Sequence, residues 1–339
     1  MSISGRLRRS VLSFCIPVAA LIISAGTMPA GQEAAPSKRL RPLEYNKDML
    51  VIQAVVGFIA PAGLGDSPYD IDPDGKIRLN PGTGSITYNF RSGDSAIDLA
   101  GDHVEPAVTL FNPGAENSRS GRESRGLNTL ACIGNRVKIW TGEGKGAIGS
   151  VIGKHGGAEH VMVDFPDASV FEKLTVGDKM QITAVGFGLE LRNAPGVTAL
   201  NIGPELIEAL TGLGMGITPE GKLRIPVAIK VPAKIMGSGL GADNAYRGDY
   251  DIQMFDEKTV KECGLDRLRF GDLVGIVDAD ATYGRIYRQG AITVGSISHS
   301  RSYVAGHGPG VTALFTSKNG DIELVEDRDA NLATLLKIR

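Results

Sequence analysis

From residue 49 onward, apolar and polar positions alternate in short runs separated by clusters of Gly, Pro, Asp and Asn. A period of two residues marks a strand with one buried face, so the pattern predicts β structure. The stretch 49–63, MLVIQAVVGFIAPAG, reads as a strand pair broken at Gly57 and Pro61, and Ile86 to Phe90 continues the alternation. The pattern is clearest from 131 to 186. There NRVKIW, a glycine hairpin TGEGKG, AIGSVIG, KHGGAEH, VMVDF and KMQITA follow as short strands with tight turns. That spacing predicts a small closed or SH3-like barrel. Helical spacing is confined to PELIEALTGLG with Pro204 in its first turn, DEKTVKECG capped by Asp256, and ANLATLLKI after Asp329. Residues 112–128, with Arg119, Arg122 and Arg125, read as a long polar loop.

The fold class that follows is mostly β, a β-rich α+β protein in which a small SH3-like barrel packs with a second, mixed β domain and few short helices. The expected divisions are an exposed arm at 31–48, an N-terminal β region at 49–130, the barrel at 131–186 and a mixed, mostly β domain at 187–339 with a glycine-rich site region. Composition agrees: 45 of the 339 residues are Gly, nearly twice the usual share, which implies many turns and close backbone approaches. Residues 1–30 read as a signal peptide. Arg6, Arg8 and Arg9 precede the apolar or small stretch from Val11 to Gly26, too short for a comfortable membrane span, and small residues follow it. Export with cleavage is the expectation, leaving no stable membrane span. Cleavage removes three arginines and takes the formal net charge from −2 to −5, which gives no electrostatic basis for holding nucleic acid or anionic lipid. Cys132 and Cys263 would remain, enough for one disulfide at most.

The candidate chemistry gathers between Lys234 and Arg285. Gly237, Gly239, Gly241 and Gly248 permit close backbone approach, and Asp249, Asp251, Asp278 and Asp280 flank them. His103 and Glu105 fall on one side of an extended run, two residues apart. All five histidines, 103, 155, 160, 299 and 307, lie in glycine-rich or strand-end contexts, and His155 and His307 are flanked by Gly. Histidine serves catalysis and metal binding through its near-neutral pKa and free ring nitrogen. No HExxH, CxxC pair or GxSxG is present, and MGSGLG lacks the lysine of a phosphate-binding loop. The D-x-D-x-D-G spacing at 70–75 is that of the front of a calcium loop, but Pro73 and the missing Glu favour a turn. Two words recur in order: LTVGDKMQI with APGVTAL, and LRFGDLVGI with GPGVTAL. The second copy holds an insert with Tyr283, Arg285, Arg288 and His299, and GDHVEPAVTL at 101–110 is a candidate third copy.

Through CIGN (132–135), GKHGG (153–157), MGSGLG (236–241), GDYDIQ (248–253), LRFGD (268–272), YGR (283–285) and GHGPGVT (306–312), the chain resembles a prokaryotic two-domain family catalogued as a domain of unknown function. The resemblance implies a β-barrel joined to a largely β second domain, and no activity. A weaker similarity, H-G-G at His155 followed by an L-x-x-GD word, with GDYD in place of a GDGE-like word, points to acetamidase and formamidase enzymes, which are metal-assisted amide hydrolases.

The functional expectation is an exported hydrolase or lyase of a small polar substrate, assisted by a divalent metal. His155, Asp249, Asp251 and His307 are the expected catalytic residues. Gly237, Ser238, Gly239, Arg269, Arg285 and His299 are expected to bind substrate, with an arginine on an anionic group. The other class is a noncatalytic binding or assembly module, in which the glycines serve turns and open sheet edges favour a homo-oligomer.

Overall fold

A computed structural model describes residues 39–339 apart from 64–66, 80–82 and 115–120. The expected signal peptide, residues 31–38 of the expected arm and Arg119 lie outside the described residues. The alternation in RVKI and KMQITA becomes strands Arg136–Ile139 and Lys179–Ala184, in which Val137, Ile139, Met180 and Ile182 point inward and the intervening residues do not. With Gln53–Ile59, Ala107–Phe111, Ile148–His155 and His160–Asp164 they form an antiparallel sheet that closes where Ile59 meets Leu110. The barrel is therefore not confined to 131–186. Two of its staves come from the region before it, because a closed sheet needs Gln53–Ile59 and Ala107–Phe111 to cover edges that would otherwise stay unpaired.

The second main sheet runs in the order Thr198–Ala199, Gly310–Ser317, Ile286–Ile297, Leu273–Asp280 and Ile229–Pro232, with Tyr250–Asp251 paired to Gly310–Ser317. Leu223–Val227 lies between Gly216–Ile217 and Ile322–Glu326 in a third sheet. The largest core cluster runs without a break from Ile59 in the barrel through Leu206, Leu273 and Phe315 to Ile338, so the described residues form one compact unit.

Residues 39–48 are exposed or half-buried and tied to the body, Arg41 exchanging backbone hydrogen bonds with Ile217 and Asn46 bonding Gly188 and Glu190. Two expectations are corrected. Arg122–Leu130, which begins within the expected loop and runs past its end, is a helix. It docks through one core leucine, Leu127, and through polar groups, Ser124 Oγ donating to the Ala158 carbonyl and Asn128 Nδ2 to the His160 carbonyl, so most of its buried face is polar and the apolar pattern is weak. The GDHVEPAVTL copy does not share the turn of the other two words. In both of those the glycine has positive φ and the Asp accepts from the amide three residues back, Asp178 from Thr175 and Asp272 from Arg269. The same turn occurs at Arg91–Asp94 and, with Asn, at Cys132–Asn135. The first PGVTAL word pairs with the strand that continues the second, Thr198 opposite Thr316 and Ala199 opposite Phe315.

Candidate metal centre

Every histidine comes to one place, each from the end of an element. His155 ends the strand Ile148–His155, and His160 begins its partner after a four-residue turn. His103 and Glu105 precede Ala107–Phe111. Asp251 lies in the strand Tyr250–Asp251, His299 follows Ile286–Ile297, and His307 precedes Gly310–Ser317. Strand ends converge at the rim of a barrel, where the backbone is fixed and side chains are free to face a cleft. A cavity of about 210 Å³ is lined there by His103, His155, Ser238, Asp249, Asp251 and His307, among others. A larger groove of about 560 Å³ around Lys230, Lys261, Arg267 and Arg328 contains no histidine. Ligand chemistry rather than size locates the site.

The ring nitrogens follow one plan. His103 Nδ1 is 2.7 Å from Asp102 Oδ2, His155 Nδ1 contacts Glu105 Oε1, and His299 Nδ1 is 2.9 Å from the Ser300 carbonyl. Each Nδ1 faces an acceptor and so donates its proton, leaving Nε2 of each ring as a lone-pair donor. One ligand-type atom from each of these three residues lies within 4.8 Å of the others. His299 Nε2 is fully buried with no hydrogen-bond partner, yet it stands 2.9 Å from Asp249 Oδ2 and 3.7 Å from Asp251 Oδ1. His307 Nδ1 is 3.2 Å from Asp251 Oδ2 and 3.1 Å from His103 Nε2. Lone pairs facing carboxylate oxygens in a buried place require a positive charge between them.

Electrostatics show that demand. Burial alone would lower the His299 pKa, but Asp249 and Asp251 overcome it and hold the ring well above its ordinary 6.5. Burial likewise opposes ionisation of Glu105, and His160 and His155 outweigh it, keeping that carboxyl well below its usual range. His103 is lowered, chiefly by burial. Without a cation, a proton on His299 carries the charge that the two aspartates call for. Among the described residues, every group of three or more ligand-type side chains with metal-like spacing belongs to this cluster.

The backbone is shaped to the site. A Cβ on Gly310 would lie 2.2 Å from both Asp249 Oδ2 and His299 Nε2, and one on Gly248, at φ +62°, would strike the Gly156 carbonyl. Asp249 Oδ1 accepts from the Gly156 amide at 3.0 Å and Oδ2 from Ser298 Oγ at 3.1 Å. Ser238 and Gly239 line the cavity, and the Gly237 amide donates to the Asp251 carbonyl at 2.8 Å.

Two matches with family domains cover most of the chain: the N-terminal domain of unknown function DUF4438 at residues 69–208 and its C-terminal counterpart at 213–336. The chain belongs to the DUF4438 family. The crystal structure of TM1086 is 43% identical, with a TM-score of 0.79, covering 86% of this chain and 99% of that one. No curated protein matches the chain.

Within this member of the family, His155, Asp249, Asp251, His299 and His307 stand together with Ser238 and Gly239, and Gly237 lies beside them. Arg269 does not join them. Its guanidinium holds Asp272 Oδ1 at 2.7 Å and the Arg328 carbonyl at 2.6 Å. Arg285 lines the cavity, but its side chain is buried and donates to the carbonyls of Asp249 and Arg247, so it clamps the carboxylate segment instead of presenting itself to an anion. Asp278 accepts from the Gly290 amide, and Asp280 pairs with Arg288 at 3.3 Å, both away from the cluster. Tyr283 is 91% exposed. Asp72 spends its oxygens on the amides of Asp74 and Lys76 and on Arg78, which makes the calcium-like stretch a turn. Sequence motifs do not reach His160 and Asp102 as site residues. The one signal for His160 is that every histidine sits beside a glycine or a strand end. Cys132 and Cys263 are free thiols, and burial pushes the Cys132 thiol up to about 11.

Proposed function

We propose that this chain is a hydrolase of a small polar substrate, acting on an amide or related bond with a divalent cation held by the histidine and aspartate cluster. The observation that carries the reading is His299: a buried ring whose Nδ1 is committed to the Ser300 carbonyl and whose unpartnered Nε2 faces Asp249 and Asp251. That is the orientation of a metal-ligating histidine, fixed by a hydrogen bond from its other nitrogen. A divalent cation bound there would polarise a carbonyl and lower the pKa of water. The residues of the chain do the rest. Asp102 and Glu105 fix the rings of His103 and His155, and Arg285 holds the Asp249 backbone. The partly exposed His307 lines the cavity with Nδ1 3.2 Å from Asp251 Oδ2, a further donor beside the substrate space. A cavity of about 210 Å³ limits the substrate to a few non-hydrogen atoms beside the cation. Export, expected from residues 1–30, belongs to the same proposal and rests on the sequence alone.

Elemental analysis of purified protein, followed by a screen of short amides and esters with and without chelator, tests this. A stoichiometric divalent metal and hydrolysis abolished by chelation are expected. Protein that retains no metal after incubation with zinc or manganese would remove the basis of the reading. The second reading, a noncatalytic binding module, draws on the hairpin Tyr69–Leu79, which exposes Tyr69, Ile71, Ile77 and Leu79. Metal-free, multimeric protein without hydrolytic activity would favour it.

A further inference from the structure

We propose that the site takes two divalent cations, bridged by the carboxylate of Asp251. The inference rests on the metal reading above and goes beyond it in number and arrangement. The two oxygens of Asp251 address different partners. Oδ1 faces His299 at 3.7 Å, whereas Oδ2 faces His307 at 3.2 Å and His103 at 3.9 Å. Two trios of ligand-type atoms follow, Asp249, Asp251 and His299 on one side and His103, Asp251 and His307 on the other, and Asp251 is their common member. Donors about 2.1 Å from one ion stand about 3.0–3.4 Å apart at tetrahedral or octahedral angles. The spacings of 2.9 Å between His299 and Asp249, 3.2 Å between His307 and Asp251, and 3.1 Å between His103 and His307 are of that size.

The two positions differ in depth. The first lies around the fully buried His299, and the second opens to the cavity through His307, whose side chain is 33% exposed. His155, grouped with both His103 and His299, adjoins both trios and is placed to complete either. Three protein donors for each ion leave a position open on both, and a pair of ions about 3.5–4 Å apart clamps the attacking and departing atoms of a displacement. The inner ion is expected to bind tightly and the outer one to exchange.

Equilibrium dialysis of chelator-treated full chain against Mn²⁺, with electron paramagnetic resonance of the loaded protein, tests the arrangement. Two Mn²⁺ per chain and an exchange-coupled spectrum are expected. His307→Ala, at a partly exposed position that leaves the core intact, should retain one Mn²⁺ with an uncoupled signal. Asp251→Ala should lose the coupling, and thermal unfolding of each variant reports whether it is folded. One Mn²⁺ in the parent chain overturns the two-ion inference and leaves the hydrolase reading standing, whereas no bound Mn²⁺ removes both. Two ions with an uncoupled spectrum, or two retained by folded His307→Ala, would place the second ion elsewhere and overturn the bridge.

Discussion

The barrel rim and the second sheet bring the same residue types to the site and use them differently. On the barrel side the carboxylates stand behind the histidines. Glu105 accepts from His155 and His160 with one oxygen and from the Gly84 amide and Thr109 hydroxyl with the other, and Asp102 accepts from His103, Ser302 and the Tyr303 amide. On the sheet side Asp249 and Asp251 stand in front, level with the unpartnered nitrogen of His299 and beside His307. A carboxylate surrounded by donors orients its neighbours, and one facing a lone pair waits for a cation. The barrel supplies the aim and the sheet supplies the charge.

Glu105→Ala tests the barrel side most severely. It strands two imidazoles, an amide and a hydroxyl in a buried place, and should cost about 3–5 kcal/mol in chemical denaturation. A loss under about 1 kcal/mol would mean that Glu105 does not support the rings. Gly310→Ala tests the sheet side. Its methyl would displace Asp249 and His299 together, so a loss of about 1–3 kcal/mol should come with loss of the inner ion in metal analysis. Unchanged metal content would separate His299 from metal binding.

The third test is pH. The folded pKa of His299 is raised, so in metal-free protein its ion pairing stabilises fully below pH 6.5, the ordinary value of the ring, and fades as pH rises through the raised folded value. A tenfold gain in proton affinity on folding is worth about 1.4 kcal/mol. Metal-loaded protein should behave oppositely, because the cation must displace that proton and binds more tightly as pH rises. Urea midpoints measured from pH 6 to 9 with and without chelator should therefore slope in opposite directions, and parallel slopes would sink the idea that proton and metal compete for one position. The smallest stability effect belongs to His307→Ala, about 1 kcal/mol, because the partly exposed ring gives up its contacts to buried Asp251 Oδ2 and to His103 Nε2 while the Gly308 amide still donates to Asp251. It should abolish hydrolysis of whichever amide or ester the parent chain cleaves. A folded variant with full turnover would remove His307 from the chemistry.

Much of the fold was legible in residues that act locally. Alternation in Arg136–Ile139 and Lys179–Ala184 named its strands, Pro204 and Gly264 marked helix ends, and the repeated L-x-x-GD words encode the same turn with the same side-chain hydrogen bond. The helix Arg122–Leu130 escaped because only Leu127 of its buried face is apolar, and Ser124 and Asn128 bind through hydrogen bonds that leave no periodic trace. Asn128 also accepts from the Gly248 amide, which ties the strand of His160 to the loop of Asp249. The site was half legible: His155, Asp249, Asp251 and His307 stand in glycine-rich words, whereas Arg269 shares such a word for the sake of its turn.

By itself, the sequence determined which residues could lie in strands, turns and caps, because those preferences are set by neighbours a few positions away. It also supplied five imidazoles and the aspartates of GDYD. Their meeting belongs to the tertiary structure alone. His103 and His307 are 204 residues apart and their ring nitrogens 3.1 Å apart. That contact exists because Ile59 closes the barrel against Leu110 and Asp251 pairs with Gly310 across the second sheet. Local preference cannot encode such a distance, since it is fixed by which strand edges pair and by how one core joins the two sheets.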